Sequence, residues 1–200
     1  MKDTDFPNWF QVSDKLSTKY QNQFYLLYFS HILSLILLTG ISLYPNVSKW
    51  TISFQIIIVI GVLISSLGLF LNKPDRKWYS ARSLAESIRT ITWRFVTRAE
   101  PFHEDYDIAK VKFINSIKKI TNQNQELKLL ISADINEDLI SYRMQELRNG
   151  NLQKRKSAYL SYRIESQLGW YKKNSRKNNF RSNLLFSIVI FLNIIALVLA

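Results

Sequence analysis

Arg82 and Glu86 stand four residues apart, the spacing that brings a cation and a carboxylate together on one helix face. Trp78, Trp93 and Arg94 flank them, and a second stretch far along the chain supplies Arg163, Gln167, Trp170 and Tyr171. These types suit a polar layer between packed helices. A buried Glu86 needs a cation, and Arg82, Arg163 or Arg94 supplies one, because an unpaired buried charge is costly. Such a layer sets register between helices or between subunits. For Trp78, Tyr79 and Trp93 two readings stand open: anchorage in a lipid headgroup layer, or packing of a helix over 76–100 on one over 152–181.

His31 is ionisable yet sits in a long uncharged run, which makes it a candidate for packing or for gating. Gly61, Ser65 and Gly68 recur at i, i+4 and i+7, so they share a helix face that lets a second helix approach closely. Hairpin packing is the plainer use of that face, and lining a pore is the other.

Other chemistries lack their residues. There is no cysteine, so neither a thiolate metal site nor a cysteine nucleophile exists. The five glycines are dispersed and form no phosphate loop. The two histidines, His31 and His103, fall in an apolar and a polar region and do not read as a zinc pair. His103-Glu104-Asp105 with Asp107 forms an acidic cluster after Pro101, read as a solvated helix start whose acids favour the positive end of the helix dipole. Weak cation binding is the alternative there. No serine–histidine–acid arrangement is legible, and no catalytic residue, metal or cofactor is expected.

The elements that carry these residues follow from hydropathy. Residues 24–43 and 51–71 contain no charge. At about 1.5 Å per residue a helix of that length covers the roughly 30 Å hydrocarbon core of a bilayer. Tyr44-Pro45-Asn46 between them reads as the turn of a transmembrane hairpin. Residues 183–200 form a further uncharged run, expected to be a third span, or the start of a second hairpin. A cleaved signal peptide fits poorly, because Asp3, Asp5 and Asp14 interrupt the basic start and no small-residue cleavage site follows the first run.

Charge orients the spans. The segment 44–50 carries only Lys49, whereas Lys73, Arg76, Lys77, Arg82 and Arg89 follow the second span. Arg163, Lys172, Lys173, Arg176, Lys177 and Arg181 precede the third. Basic residues collect on the cytoplasmic side, so residues 1–23 and 72–182 are expected there. The region 72–182 holds 23 basic and 12 acidic residues, nearly all of the chain's net charge of +12. Attraction to anionic lipid, worth about 1 kcal/mol per basic residue near the surface, is the first reading of that excess. An anionic nucleotide ligand is the second. Nucleic acid is not expected, since no recognition fold accompanies the charge.

Within 72–182 the pattern is helical. Asn72-Lys73-Pro74-Asp75 breaks the chain, and Trp78, Ala81, Leu84/Ala85, Ile88, Ile91/Thr92 and Phe95 then make one apolar stripe that Pro101 closes. A helix is expected from Asp107 to Ile120, with Thr121–Gln125 as an interruption. Leu127–Ile131 is ambiguous in type, Asn136–Arg148 reads as helix, and Asn149-Gly150-Asn151 as a turn. A long helix from Leu152 is expected to run into the third span. The fold class is thus an all-α membrane protein: an N-terminal lead-in (1–23), a hairpin (24–71), a basic cytoplasmic helical bundle (72–182) and a third span (183–200).

Two blocks of residues resemble a known family. Lys73-Pro74-Asp75-Arg76-Lys77-Trp78-Tyr79-Ser80-Ala81-Arg82 leads the first, with Ala85-Glu86, Trp93-Arg94-Phe95 and Ala99-Glu100-Pro101-Phe102. Met144, Leu147-Arg148, Leu152, Arg155, Tyr159-Leu160, Arg163-Ile164, Gln167 and Trp170-Tyr171 form the second. In this order they resemble the SLATT group of bacterial membrane proteins, in particular its DUF4231 branch. Arg89 stands where that branch has lysine, and Asn174-Ser175 where it has Lys-Ala. The branch commonly carries a second hairpin, so the resemblance implies a shortened copy. It also implies a pore-forming, oligomeric membrane effector of a bacterial conflict system, with homo-oligomer contacts and a nucleotide-signal sensor or other conflict-system protein as partners. A non-conducting scaffold that recruits a cytoplasmic partner through its basic helices is the alternative.

Overall fold

The computed structural model describes residues 1–43, 48–124 and 139–199. The expected turn Tyr44-Pro45-Asn46, the stretch Leu127–Ile131, and the outer parts of the segments expected at Thr121–Gln125 and Asn136–Arg148 lie wholly or partly outside them.

Helix α1 runs unbroken from Asn8 to Ser42. The lead-in and the first apolar run are therefore one rod of 35 residues, about 50 Å long. Its two ends differ. Trp9, Phe10, Ser13 and Ser17 recur on one face and are buried, while Leu26, Phe29, Leu33 and Ile36 further along are exposed.

Helix α2 spans Lys49–Asn72 and starts under Ser48, whose hydroxyl accepts from the Thr51 amide at 3.3 Å. It ends at Lys73, which adopts the left-handed conformation (φ 43°, ψ 52°). Pro74 then opens helix α3, Pro74–Thr97. Proline suits the first helical position, where its missing N–H is not needed. One residue thus joins two 24-residue helices.

Both helices lie antiparallel along α1. Gly61 and Gly68 of α2 face Ser34 and Leu27. Farther down, Trp78 of α3 meets Phe24 at 6.2 Å and Trp93 meets Phe6 at 6.2 Å between ring centroids. Successive partners move toward the N-terminus of α1 as the chain advances through α2 and α3. The result is one long two-layered hairpin, apolar at one end and amphipathic at the other.

Around the amphipathic end three more helices pack. Helix α4, Tyr106–Gln123, buries Ala109, Phe113, Ile117 and Thr121 at helical spacing. It runs through Thr121, past the interruption expected there. Helix α5, Tyr142–Asn149, begins under Ser141 and buries Met144, Leu147 and Arg148. Asn151 caps α6, Leu152–Tyr159, by accepting from the Lys154 amide at 2.8 Å, so the expected turn at 149–151 is present. Phe95, Phe102, Phe113, Ile88 and Met144, all below 2 % exposed, form the core.

Arg148 is the polar centre of that core. It is fully buried, donates to the carbonyls of Phe95 at 2.5 Å and Glu104 at 2.8 Å, and lies 4.6 Å over the Phe95 ring. Phe95 is in the last turn of α3, where its carbonyl accepts from the Arg98 amide at 3.3 Å and Arg148 adds a second donor. Burial lowers its pKa, with Arg98 and Arg155 adding to the effect.

After α6 the backbone widens into a π-helical turn, Leu160–Glu165, and continues as helix α7, Ser166–Leu199. The expectation of a third transmembrane helix is overturned here. Among the described residues two helical stretches are long and apolar enough to cross a membrane, Asn8–Ser42 and Lys49–Thr97. Residues 183–199 are the distal part of α7, whose first half carries Lys172, Lys173, Arg176, Lys177 and Arg181. The uncharged part begins only at Ser182, as the continuation of a helix begun among basic residues. The fold is all-α, with a candidate transmembrane hairpin and a polar helical bundle.

Candidate functional site

The charged residues on the outer face of α3 fall one helical turn apart at Arg82, Glu86 and Arg89. Their apolar counterparts Ala81, Leu84, Ala85 and Ile88 turn into the core, so the charged face is left to look across at α1 and the π turn. One oxygen of Glu86 takes Arg82 and Arg89 at 2.9 Å each, and the other faces Arg163 of the π turn at 3.5 Å. Arg82 also reaches Asp14 of α1 at 3.2 Å, and Arg89 reaches Asp3 at 3.3 Å. Glu86 is the shared node. Through Arg82 and Arg89, this node also ties in the N-terminal segment, so three stretches distant in sequence are linked.

Burial decides which of these contacts matter. Arg89 is 14 % exposed and its guanidinium lies 4.6 Å over the Phe10 ring, a cation–π contact sheltered from water. Asp3 is 73 % exposed, so its pair with Arg89 contributes little. Arg163 is largely buried, whereas Arg82 is half-exposed.

These side chains line a cleft of about 870 Å3 between α3, the N-terminal segment and the rod formed by the π turn and α7. Of the residues expected in a polar layer, Arg82, Glu86, Trp93, Arg163, Gln167, Trp170 and Tyr171 all border this cleft. Two do not. Trp78 packs with Phe24, Tyr25 and Tyr79 near the inner end of the hairpin, centroids 4.9–6.2 Å apart. Arg94 is exposed and borders a smaller groove of about 390 Å3 on the other side of Trp93, with Arg155 and Tyr159. The expected packing of α3 on a helix over 152–181 holds at Tyr159, which meets Trp93 edge-on at 5.5 Å, and at Arg163. Beyond Ser166, α7 buries no residue among those described.

Sequence reasoning missed Asp3, Asp14 and Arg89 as partners. Asp14 and Arg82 are 68 positions apart, and nothing in local spacing links them. The signal available was charge: acids at Asp3 and Asp14 interrupt an otherwise basic lead-in.

A second polar group lies inside the hairpin. His31 Nδ1 is 3.2 Å from Ser65 Oγ and 3.3 Å from Ser66 Oγ. Ser65 also donates within its own helix, to the carbonyls of Gly61 and Val62 at 2.9 Å. A Cβ on Gly68 would stand 3.1 Å from Leu27 Cδ2. His31, Gly61, Ser65 and Gly68 therefore all sit on the α1–α2 contact. The acidic cluster resolves differently: Glu104 pairs with Lys112 at 2.6 Å, and Asp105 and Asp107 flank the start of α4.

A paired-helix apolar hairpin continued directly into a charged helical bundle defines a membrane-associated protein of two candidate spans with its polar machinery on one end. The chain belongs to the family described as SMODS and SLOG-associating 2TM effector domain 3, whose model matches residues 7–156. That range takes in the hairpin and the bundle into α6, and stops before the π turn. No curated protein and no solved structure matches the chain.

Proposed function

We propose that this chain is an oligomeric, pore-forming effector of a bacterial conflict system, switched by a cytoplasmic signal and without enzymatic activity of its own. Its finer place in the DUF4231 branch rests on the two motif blocks around Arg82 and Arg163. The observation that carries the reading is the single-residue joint at Lys73, which links an apolar helix to the helix bearing Glu86. A movement of α3 against Arg163 or Asp14 is passed to α2 with little slack. Two helices enclose no aqueous path, so conduction requires several copies. His31 with Ser65 and Ser66 would then offer polar atoms at membrane depth. The basic excess orients the bundle toward the cytoplasm, where a nucleotide-signal sensor or another conflict-system protein delivers the stimulus.

The test is membrane potential and dye leakage in bacteria expressing the chain, beside an Arg82→Ala/Glu86→Ala variant at equal membrane level. Depolarisation that the variant loses supports the effector. An intact potential with the chain inserted and oligomeric overturns it, and favours a non-conducting scaffold. One observation suits that second reading: α7 presents Lys172, Lys173, Arg176, Lys177 and Arg181 with no acid between Ser166 and Leu199, an open surface for an acidic partner.

A further inference from the structure

The cleft is larger than its ion pairs need. About 870 Å3 lies within the range of sites that hold a small organic ligand. Its cations are unequally engaged. Arg82 and Arg89 grip one oxygen of Glu86 at 2.9 Å, but both terminal nitrogens of Arg163 stand 3.5 Å from the other oxygen. A guanidinium–carboxylate pair in good geometry closes to about 2.7–2.9 Å with two parallel bonds. Arg163 has one distant oxygen instead, although its side chain is only 20 % exposed. It is held on a π-helical turn, a backbone form that concentrates at functional sites.

The neighbouring wall is aromatic. Trp170 and Tyr171 meet edge-to-face at 5.0 Å and remain 54 % and 62 % exposed. Among the described residues neither ring contacts a ring of another element. The helix that carries them continues with five basic residues and no acid, a field that draws anions toward the cleft.

We propose that this cleft binds a nucleotide, with phosphate on Arg163 and the base against Trp170 and Tyr171. A phosphate offers Arg163 the bidentate partner that Glu86 does not, and a base supplies the flat face that exposed aromatic rings stack on. Glu86, already neutralised by Arg82 and Arg89, is the partner that a phosphate displaces from Arg163. Turning Arg163 from Glu86 to a ligand loosens the tie between α3 and the π turn, and α3 leads to α2 through Lys73. Arg163, Trp170 and Tyr171 lie beyond residues 7–156, so this wall is no part of the family match.

The inference concerns control of the effector proposed above and rests on that reading only for its consequence. Its test reads binding alone. Full-length chain in detergent micelles is titrated, by tryptophan fluorescence, with adenine, guanine and uracil mononucleotides, diphosphates and cyclic dinucleotides. Inorganic pyrophosphate and phosphatidylglycerol vesicles serve as comparators for phosphate without a base. At least one nucleotide is expected to saturate about tenfold more tightly than pyrophosphate, the scale of one stacked base. Arg163→Gln is expected to weaken it about tenfold, and Trp170→Leu, at an exposed position, several-fold with unchanged helicity. No saturable signal from any nucleotide overturns the proposal. Pyrophosphate or vesicles binding as tightly as every nucleotide, or nucleotide binding indifferent to both variants, overturns it equally. A chain that depolarises membranes and binds no nucleotide loses the inference and keeps the function; one that binds and does not depolarise does the reverse.

Discussion

Helices α2 and α3 have the same length and are joined by one residue, yet they treat their apolar side chains in opposite ways. In α2, the more apolar of the two, Ser65 is the buried residue and Ile56, Ile57, Ile60, Leu63 and Ile64 are exposed. In α3, Ala81, Leu84, Ala85, Ile88, Phe95 and Val96 are buried while Arg76, Arg82 and Arg94 face out. Burial alone would rank α2 as a misfolded core helix. The difference is one of solvent. A helix surrounded by hydrocarbon gains nothing by hiding leucine and most by pairing its few polar groups. A helix in water does the reverse.

The comparison is broken most severely at Arg148. Arg148→Ala withdraws a donor from each of two carbonyls, at about 1–3 kcal/mol apiece, and removes the side chain that fills the core. The bundle is expected to lose about 5 kcal/mol, read from urea denaturation in detergent, while the helicity of the hairpin persists. Full loss of helicity at the same urea concentration would show that the two ends do not unfold separately.

A matched pair sharpens it. Phe113 is fully buried and Phe54 is 59 % exposed. Phe113→Ala is expected to cost about 4 kcal/mol. Phe54→Ala, its side chain facing lipid, should leave the urea midpoint almost unmoved. Equal effects would mean that the hairpin packs in water.

Gly68→Val sets a branched side chain where a Cβ already meets Leu27 at 3.1 Å. Overpacking of this kind costs about 1–3 kcal/mol. It should show as faster crosslinking loss between cysteines introduced at positions 31 and 65, with the bundle's melting unchanged.

The smallest effect is one of pH. Hydrogen bonds from Lys154 and Arg143 hold the Glu146 carboxyl below the ordinary carboxylate range. A lowered folded pKa means stability that is present above the unfolded value and fades as pH falls through the folded one. Acid titration of the melting temperature should therefore show a slightly shallower acid limb in Glu146→Gln. The site is exposed, so the difference is small.

Much of this was legible in advance. The charge-free runs at 24–43 and 51–71, the break at Lys73-Pro74 and the stripe from Trp78 to Phe95 follow from hydropathy and proline geometry, which act locally. Arg82 with Glu86 followed from helical spacing. The C-terminal run was misjudged as a third span, although its continuity with the helix from Leu152 was expected and is present. Arg148 was noticed only within a motif block, since nothing local tells a buried arginine from a solvated one.

By itself, then, the sequence determined which segments are helical, which end of the hairpin is apolar and which residues carry charge, because those properties depend on neighbours within a few turns. The tertiary structure decided that Asp14 and Arg163 are tied to the Arg82–Glu86 pair and that Arg148 donates into the last turn of α3. It also decided that Trp170 and Tyr171 border an open cleft. Those outcomes depend on how rods some dozens of residues apart are laid side by side, and that is settled by the summed packing of the whole core.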